Sequence, residues 1–469
     1  MDPADLSQPR SWRGRWWVPS EPEAPAAGVL SYRPDSGLEL ILIGGFSAPQ
    51  WEHFRTAHDQ GRGWDGILYG DAGGYKITLF DCVATTSLAR GMDFFAGEVT
   101  EQTFMATEAL VGVHLASRDE PSLQGVEFAM QGLANWAPPD GLELQVQLDH
   151  RHRPIGSRAT HEAIPDATAE TTDGRVSLRR SWTMPQRVVT RKGAEITLAV
   201  YPALRWSPRQ GAVSLREALR RVRKLSACVA FAHAAALPLI WVRFPTEIGN
   251  QYIDYYAHYA SVASQVDPPK ALLYTSQDLG FAETLRAWDD VWDRFEHPLN
   301  IVADAWSEGR ATAESNAILA VIAAEVFHQA LNEPPPMSRE ERKRLVALLQ
   351  AAVEPERREW VANIVPRGHS LKQRLDRLAA RLNGPVGRML LPSPEKWAKT
   401  ARKVRNDIGH GGHTSESFEV VIALGVVTRA VIMVNALIEM DFSEEHILDV
   451  LRRNPELVHA HQAALEYLR

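Results

Sequence analysis

The chain has 469 residues, too many for one ordinary core, so two or three domains are expected. Its 45% hydrophobic and 23% charged residues exclude a disordered chain, and a formal net charge of −7 gives no global case for nucleic-acid binding. Two cysteines far apart in sequence, Cys82 and Cys228, exclude a disulfide framework or a Cys-based zinc site and fit a reducing cytoplasm.

Residues 1–13 are polar and carry no hydrophobic signal region, which agrees with a cytoplasmic location. Up to about residue 210 the sequence reads as β-rich. Short apolar runs (Leu38–Ile43, Tyr75–Phe80, Gly125–Met130, Leu142–Leu148, Ala194–Val200) alternate with turn chemistry: Pro34-Asp35-Ser36-Gly37, Gly73-Gly74, Pro138-Pro139-Asp140-Gly141 and Arg191-Lys192-Gly193. Many short strands so spaced predict a sandwich or barrel-like sheet. Trp12, Trp16, Trp17, Trp51, Trp64 and Trp136 fall at strand starts or in loops, where they pack a core or line a groove.

A helix is expected from Ser214 to about Ala236, followed by a returning strand at Leu239–Val242. Tyr252, Tyr255, Tyr256 and Tyr259 have the spacing of a stripe on one helix face. From about Asn300 the sequence turns all-helical. A long amphipathic helix over 311–331 ends at Asn332-Glu333-Pro334-Pro335-Pro336, and Ser338 caps the next, with Glu341 completing a capping box. Another covers 370–382, and Ser393-Pro394 opens a helix that meets Gly409, Gly411 and Gly412 at its end. Thr414 or Ser415 starts a helix reaching about Met440, and Ser443 and Pro455 start two short ones. The apolar stretch 420–438 contains Thr428, Arg429 and Asn435 and reads as a buried bundle helix, with no membrane span expected. The fold class expected is multidomain α+β: a β-rich region with helical insertions over 1–295, then an all-α bundle over 300–469.

The chemistry concentrates near the C-terminus, in Val404-Arg405-Asn406-Asp407-Ile408-Gly409-His410-Gly411-Gly412-His413. A histidine moves protons near neutral pH, and a guanidinium neutralises a phosphate as charge builds in the transition state. Together they suffice to cleave RNA without a metal, because the 2′-hydroxyl of the substrate is the nucleophile. Between 367 and 410 eleven Lys/Arg stand against three acids, a local basic patch inside an acidic chain. The plainer readings are a solvated basic helix face, a helix-end charge for Arg405 and a loop histidine for His410. Asp149-His150-Arg151-His152 puts two histidines on one face if it is a strand, but no third ligand is near in sequence, and neither a metal nor a cofactor is expected.

The run Arg405-Asn406-x-x-x-His410 resembles the Arg-x(4–6)-His motif of HEPN domains, whose arginine is typically followed by a polar residue. The approach to it, Ser370-Leu371-Lys372-Gln373-Arg374-Leu375-Asp376-Arg377-Leu378 and then Lys403-Val404-Arg405, is similar to the C-terminal domain of ApeA-type abortive-infection proteins. The N-terminal segments Trp12-Arg13-Gly14-Arg15-Trp16, Gly28-Val29-Leu30 and Ile77–Cys82 resemble the domain that precedes it there. The resemblance implies a HEPN helical bundle and a metal-independent endoribonuclease of anti-phage defence that leaves 2′,3′-cyclic phosphate and 5′-hydroxyl ends. It implies Arg405 and His410 as the catalytic pair, Asn406 as the polar residue that orients them, and Glu325 as a weaker candidate. Lys399, Arg402, Lys403, Arg374 and Arg377 are the expected RNA-binding residues. A homodimer or higher homo-oligomer, a phage protein as trigger, restraint by the N-terminal region, and tRNA as a target complete the expectation. The alternative is a non-catalytic RNA- or nucleotide-binding dimerisation module.

Overall fold

A computed structural model describes residues 5–46, 66–90, 98–138, 141–162, 164–182, 186–190, 193–197, 199–248, 251–258, 271–306, 312–365, 368–382 and 384–469. Trp51, Trp64, Tyr259, Arg367 and the Arg191-Lys192 turn lie outside these residues. The chain divides into two compact units. One comprises Met1–Ala230, Leu237–Pro268 and Thr275–Leu285; the other comprises Phe231–Ala236, Pro269–Tyr274 and Arg286–Arg469.

The first unit is built on strands β1 (Arg10–Trp17), β2 (Ala26–Arg33), β3 (Gly37–Ile43), β4 (Leu68–Ala72), β5 (Tyr75–Phe80), β6 (Val83–Arg90), β7 (Glu98–Ala106), β8 (Glu108–Val111) and β9 (Val126–Met130). After helix α1 (Leu133–Trp136) come β10 (Leu142–Leu148), β11 (Pro154–His161), β12 (Ala167–Glu170), β13 (Gly174–Trp182), β14 (Gln186–Thr190), β15 (Gly193–Thr197) and β16 (Val200–Pro208). Most of helix α2 (Leu215–His233), with β17 (Leu239–Pro245) and β18 (Tyr252–Ala257), completes it. Fourteen strands join in one antiparallel sheet, in the order β12-β13-β16-β9-β17-β18-β8-β5-β4-β1-β2-β3-β7-β6. A sheet this long must curl. Tyr256 on β18 meets Trp12 on β1 and Tyr32 on β2 at ring-centroid distances of 4.9 and 5.1 Å, although several strands separate them in the hydrogen-bonded order. The curl encloses Trp16, Leu30, Leu40, Leu79 and Phe104, all fully buried. The expected β-rich region, a sandwich or barrel-like sheet, is thus present as one curled sheet.

Local chemistry explains the hairpins. Gly73 and Gly74 both have positive φ, 62° and 81°, and close a two-residue turn between β4 and β5 that only glycine fits at no steric cost. Gly70 matters for a different reason. It lies opposite Trp16, and a Cβ there would stand 2.3 Å from the indole. Gly70→Ala is expected to destabilise this unit by about 1–3 kcal/mol through overpacking, seen as a lower urea midpoint by tryptophan fluorescence.

The tyrosine stripe is corrected: Tyr252, Tyr255 and Tyr256 lie on β18, between β17 and β8. Their contacts follow a period of two. Tyr256 turns into the aromatic core, while the Tyr255 hydroxyl donates to Glu108 at 2.6 Å. Just before them in the strand, Asp254 is pushed up to about 6 by burial, against the opposing pull of Arg243 and Arg10. A raised carboxyl stabilises the fold while protonated and loses that contribution as pH rises through its folded-state value. Asp254→Asn is thus expected to raise Tm at neutral pH, by up to about 3 kcal/mol in stability, with the gain vanishing below about pH 4. A pH series of melting curves on both proteins checks this.

The second unit is helical. It contains most of α3 (Phe281–Asp304), with α4 (Ala313–Ala330), α5 (Arg339–Ala351), α6 (Arg358–Ile364), α7 (Leu371–Arg381), α8 (Gly384–Leu390), α9 (Pro394–Gly411), α10 (Phe418–Glu439), α11 (Glu444–Arg453) and α12 (Pro455–Tyr467). Helical structure begins before Asn300. α3 starts at Phe281 and carries Pro298 inside it, with Phe295 at non-helical φ −124° where the proline disturbs the hydrogen-bond ladder. Capping boxes form at Ser338/Glu341 and Ser370/Gln373, and Ser443 and Asn454 cap α11 and α12. α10 is capped by Ser417, a few residues later than Thr414 or Ser415.

α10 is long and apolar enough to cross a membrane, with mean hydropathy 2.2, yet 83% of that stretch is buried inside the protein. It packs on α4 closely enough that a Cβ on Gly425 would sit 3.4 Å from the Ala317 backbone. Its Asn435 is fully buried and satisfied: the side-chain oxygen accepts from Arg381 at 2.8 Å, and the amide donates to the Val431 and Leu378 carbonyls. Glu439 then takes both Arg381 and Arg294.

Candidate active site at the end of a bundle helix

α9 buries one stripe, Trp397, Ala398, Thr400, Ala401 and Val404, and the Trp397 indole donates to Thr428 on α10 at 3.0 Å. This spacing locks the rotation of the helix and decides what its last two turns present. His410 belongs to the helix, not to the break after it. α9 continues through Gly409 and His410 to Gly411, and Gly412, at φ 74°, caps it by donating its N–H to the Ile408 carbonyl at 3.0 Å. Gly412 is therefore a left-handed cap, a conformation glycine adopts without penalty.

Helical continuation has a geometric result. Asn406 and His410 are four residues apart, hence on one face, and both are exposed. Arg405 is half-buried, and its guanidinium donates to the Asn406 side-chain oxygen at 3.4 Å, which draws it towards that face. Asn406 and His410 line an open cavity of about 590 Å³ together with Asp407, Gly411, His413 and Ser415. The loop beyond is held back on the helix: Thr414 donates to Asp407 at 3.1 Å, Lys403 pairs with Glu416 at 2.5 Å, and His413 Nδ1 lies 2.9 Å from the Gly411 carbonyl. An amide between a guanidinium and an imidazole on an accessible surface can bind a phosphodiester and pass a proton beside it.

The other sequence-derived residues divide by environment. Lys399 and Arg402 are exposed on α9. Arg374 instead pairs with Glu325 at 2.6 Å, both largely buried, and also donates to the His369 carbonyl. Arg377 pairs with Glu333 at 2.8 Å. Glu325 thus fixes α7 to α4.

Beside them lies a cluster that sequence reading missed. His328 and His369 meet at a ring-centroid distance of 5.2 Å, edge to face, with His328 Nε2 3.6 Å from Glu333. They are 3% and 8% exposed, too buried for a polymer to reach, and desolvation lowers the His328 pKa. No sequence spacing signals this pair, since 41 positions separate them. His150 and His152 stand in the tight turn between β10 and β11, where Asp149 accepts from the Arg151 and Arg153 amides. Among the described residues no three His, Cys, Asp or Glu side chains are grouped to hold a metal ion.

The family model described as ApeA N-terminal domain 1 matches residues 11–279, and the one described as Apea-like HEPN matches residues 318–446. Neither a curated protein nor a solved structure matches the chain.

Proposed function

Because the chain belongs to the family that joins an ApeA N-terminal domain to an Apea-like HEPN domain, we propose that it is an anti-phage endoribonuclease whose cleavage centre is Arg405, Asn406 and His410. The HEPN domain supports a general ribonuclease role. The observation that carries the finer assignment is the open face on which Asn406 and His410 lie side by side, with the Arg405 guanidinium held against Asn406.

In the proposed reaction Arg405 binds the scissile phosphate. His410 takes the proton of the 2′-hydroxyl, whose oxygen forms a new bond to phosphorus as the bond to the 5′-oxygen breaks. A second acid returns a proton to that leaving oxygen, giving a 2′,3′-cyclic phosphate and a 5′-hydroxyl. His413 lines the same cavity but its Nδ1 is turned to the Gly411 carbonyl, so the histidine of a second copy of the chain is the proposed source of the acid. Phe418 and Ile422, 60% and 39% exposed on α10 just beyond the cavity loop, support a homodimer at this end of the bundle. Lys399 and Arg402 carry the approach of RNA, whereas Arg374 and Arg377 serve Glu325 and Glu333. In the cytoplasm such an activity needs restraint, for which the ApeA domain and a phage component are the proposed elements, and tRNA is the proposed target.

The test is cleavage of total RNA by the full-length protein in EDTA, with and without extract from phage-infected cells. Fragments formed in EDTA support the nuclease. RNA retained on the protein but uncut in both conditions points to the non-catalytic binding module.

A further inference from the structure

The neighbouring strands β13 and β16 carry a second concentration of arginine far from the HEPN motif in sequence. Register explains it. Arg175 pairs with Ser207, Ser177 with Arg205 and Arg179 with Ala203, so alternate residues of both strands point to one side of the sheet. The opposite side is apolar, with Val176, Leu178, Leu204 and Trp206 buried. The polar side, with Arg209 just past the end of β16, forms a cavity of about 550 Å³, the size of a small-ligand site.

The arginines are incompletely neutralised. Buried Glu127 on β9 lies beneath them, and three guanidiniums converge on it: Arg243 at 2.5 Å, Arg179 at 3.5 Å and Arg205 at 4.0 Å. Arg243 holds one carboxylate oxygen, while the other is buried without a hydrogen bond. Among the described residues the Arg209 guanidinium reaches the Thr171 carbonyl alone, at 3.5 Å. Two acids on the edge side, Asp166 and Glu170, take Arg179 at 3.6 Å and Arg175 at 2.6 Å, and the latter pair is about 60% exposed and so weakly held. Guanidinium forks and serine hydroxyls are the donors that recognise phosphoryl oxygens. The acidic wall along β12 closes the basic floor on that side, which suits a compact ligand better than a polymer backbone running across the sheet.

We propose that this face of the N-terminal sheet binds a small di- or triphosphate ligand of nucleotide size, its phosphates lying over Ser177 and Ser207 between Arg179, Arg205 and Arg209. The site is independent of the ribonuclease reading and is tested by binding alone. Titration calorimetry of the full-length protein at fixed ionic strength uses pyrophosphate, ATP and adenosine as probes. Saturable binding of both phosphates and none of adenosine is expected. ATP binding more tightly than pyrophosphate identifies a nucleotide, and equal affinities identify the polyphosphate alone.

Arg205→Gln and Ser207→Asp should each weaken binding at least about tenfold, or about 1.4 kcal/mol. Arg216→Gln, in an exposed pair with Asp119, should leave it unchanged. If Arg205→Gln lowers the melting temperature, Ser207→Asp, which keeps every arginine, decides. No saturable binding of any probe, or binding indifferent to Ser207→Asp, overturns the proposal. So does a short RNA that binds this face more tightly than ATP and is lost in Ser207→Asp.

Discussion

His410→Ala and Arg405→Ala are expected to reduce RNA cleavage by at least about a hundredfold each while leaving the bundle folded. Removing a positioned general acid or base costs about 10²–10⁴ in rate, and removing a donor that neutralises transition-state charge costs a similar factor. The environment of His410 makes the test clean. Its side chain is exposed at the last turn of α9, beyond the buried stripe that ends at Val404, so truncation leaves no cavity. His369→Ala is the informative contrast. His369 is buried against His328, so its loss should lower the melting temperature. If His369→Ala abolished cleavage without destabilising the protein and His410→Ala did not, the reacting centre would lie at the buried pair.

Glu127→Ala is the second large effect, on stability rather than chemistry. Glu127 is 2% exposed and faces three guanidiniums across the strand order β13-β16-β9-β17. Its removal leaves like charges facing one another in a poorly solvated place, at a cost of about 3–5 kcal/mol. Glu127→Gln should lose less, because an amide oxygen still accepts from Arg243. Chemical unfolding followed by tryptophan fluorescence reports it directly, since the tryptophans Trp12, Trp16 and Trp206 lie in this sheet. A Glu127→Ala protein within about 0.5 kcal/mol of wild type would mean that solvent reaches the cluster and that these charges are not coupled.

The bundle was legible where local chemistry decides the structure. Ser338 with Glu341, Ser370 and Pro455 each mark a helix start within a few residues, and the structure has caps at each. The Gly73-Gly74 hairpin is of the same kind. The tyrosines of β18 misled because Tyr252, Tyr255 and Tyr256 have a spacing that fits a helix, while the slot between β17 and β8 is a tertiary fact no window of sequence contains.

At the candidate site the residues were visible but their arrangement was not. Glycines at 409, 411 and 412 read as a break, whereas only Gly412 needs the left-handed conformation, so the helix runs on and brings His410 onto the face of Asn406. The pairing of Arg374 with Glu325 and the burial of His328 against His369 join positions more than 40 residues apart. The arginine face of the N-terminal sheet was hidden for the same reason. Each strand shows simple alternation, and only the register of Arg205 opposite Ser177 assembles a site.

Metal-free cleavage by His410 through the 2′-hydroxyl is written in the ends of the RNA fragments it leaves. RNA would be cut by the full-length protein in EDTA, with infected-cell extract if the trigger is needed, and the fragment termini identified. The fragments should carry 2′,3′-cyclic phosphates and 5′-hydroxyls, absent when His410→Ala replaces the wild type. Fragments bearing 3′-hydroxyls and 5′-phosphates, or the same cyclic ends from the His410→Ala protein, would contradict it.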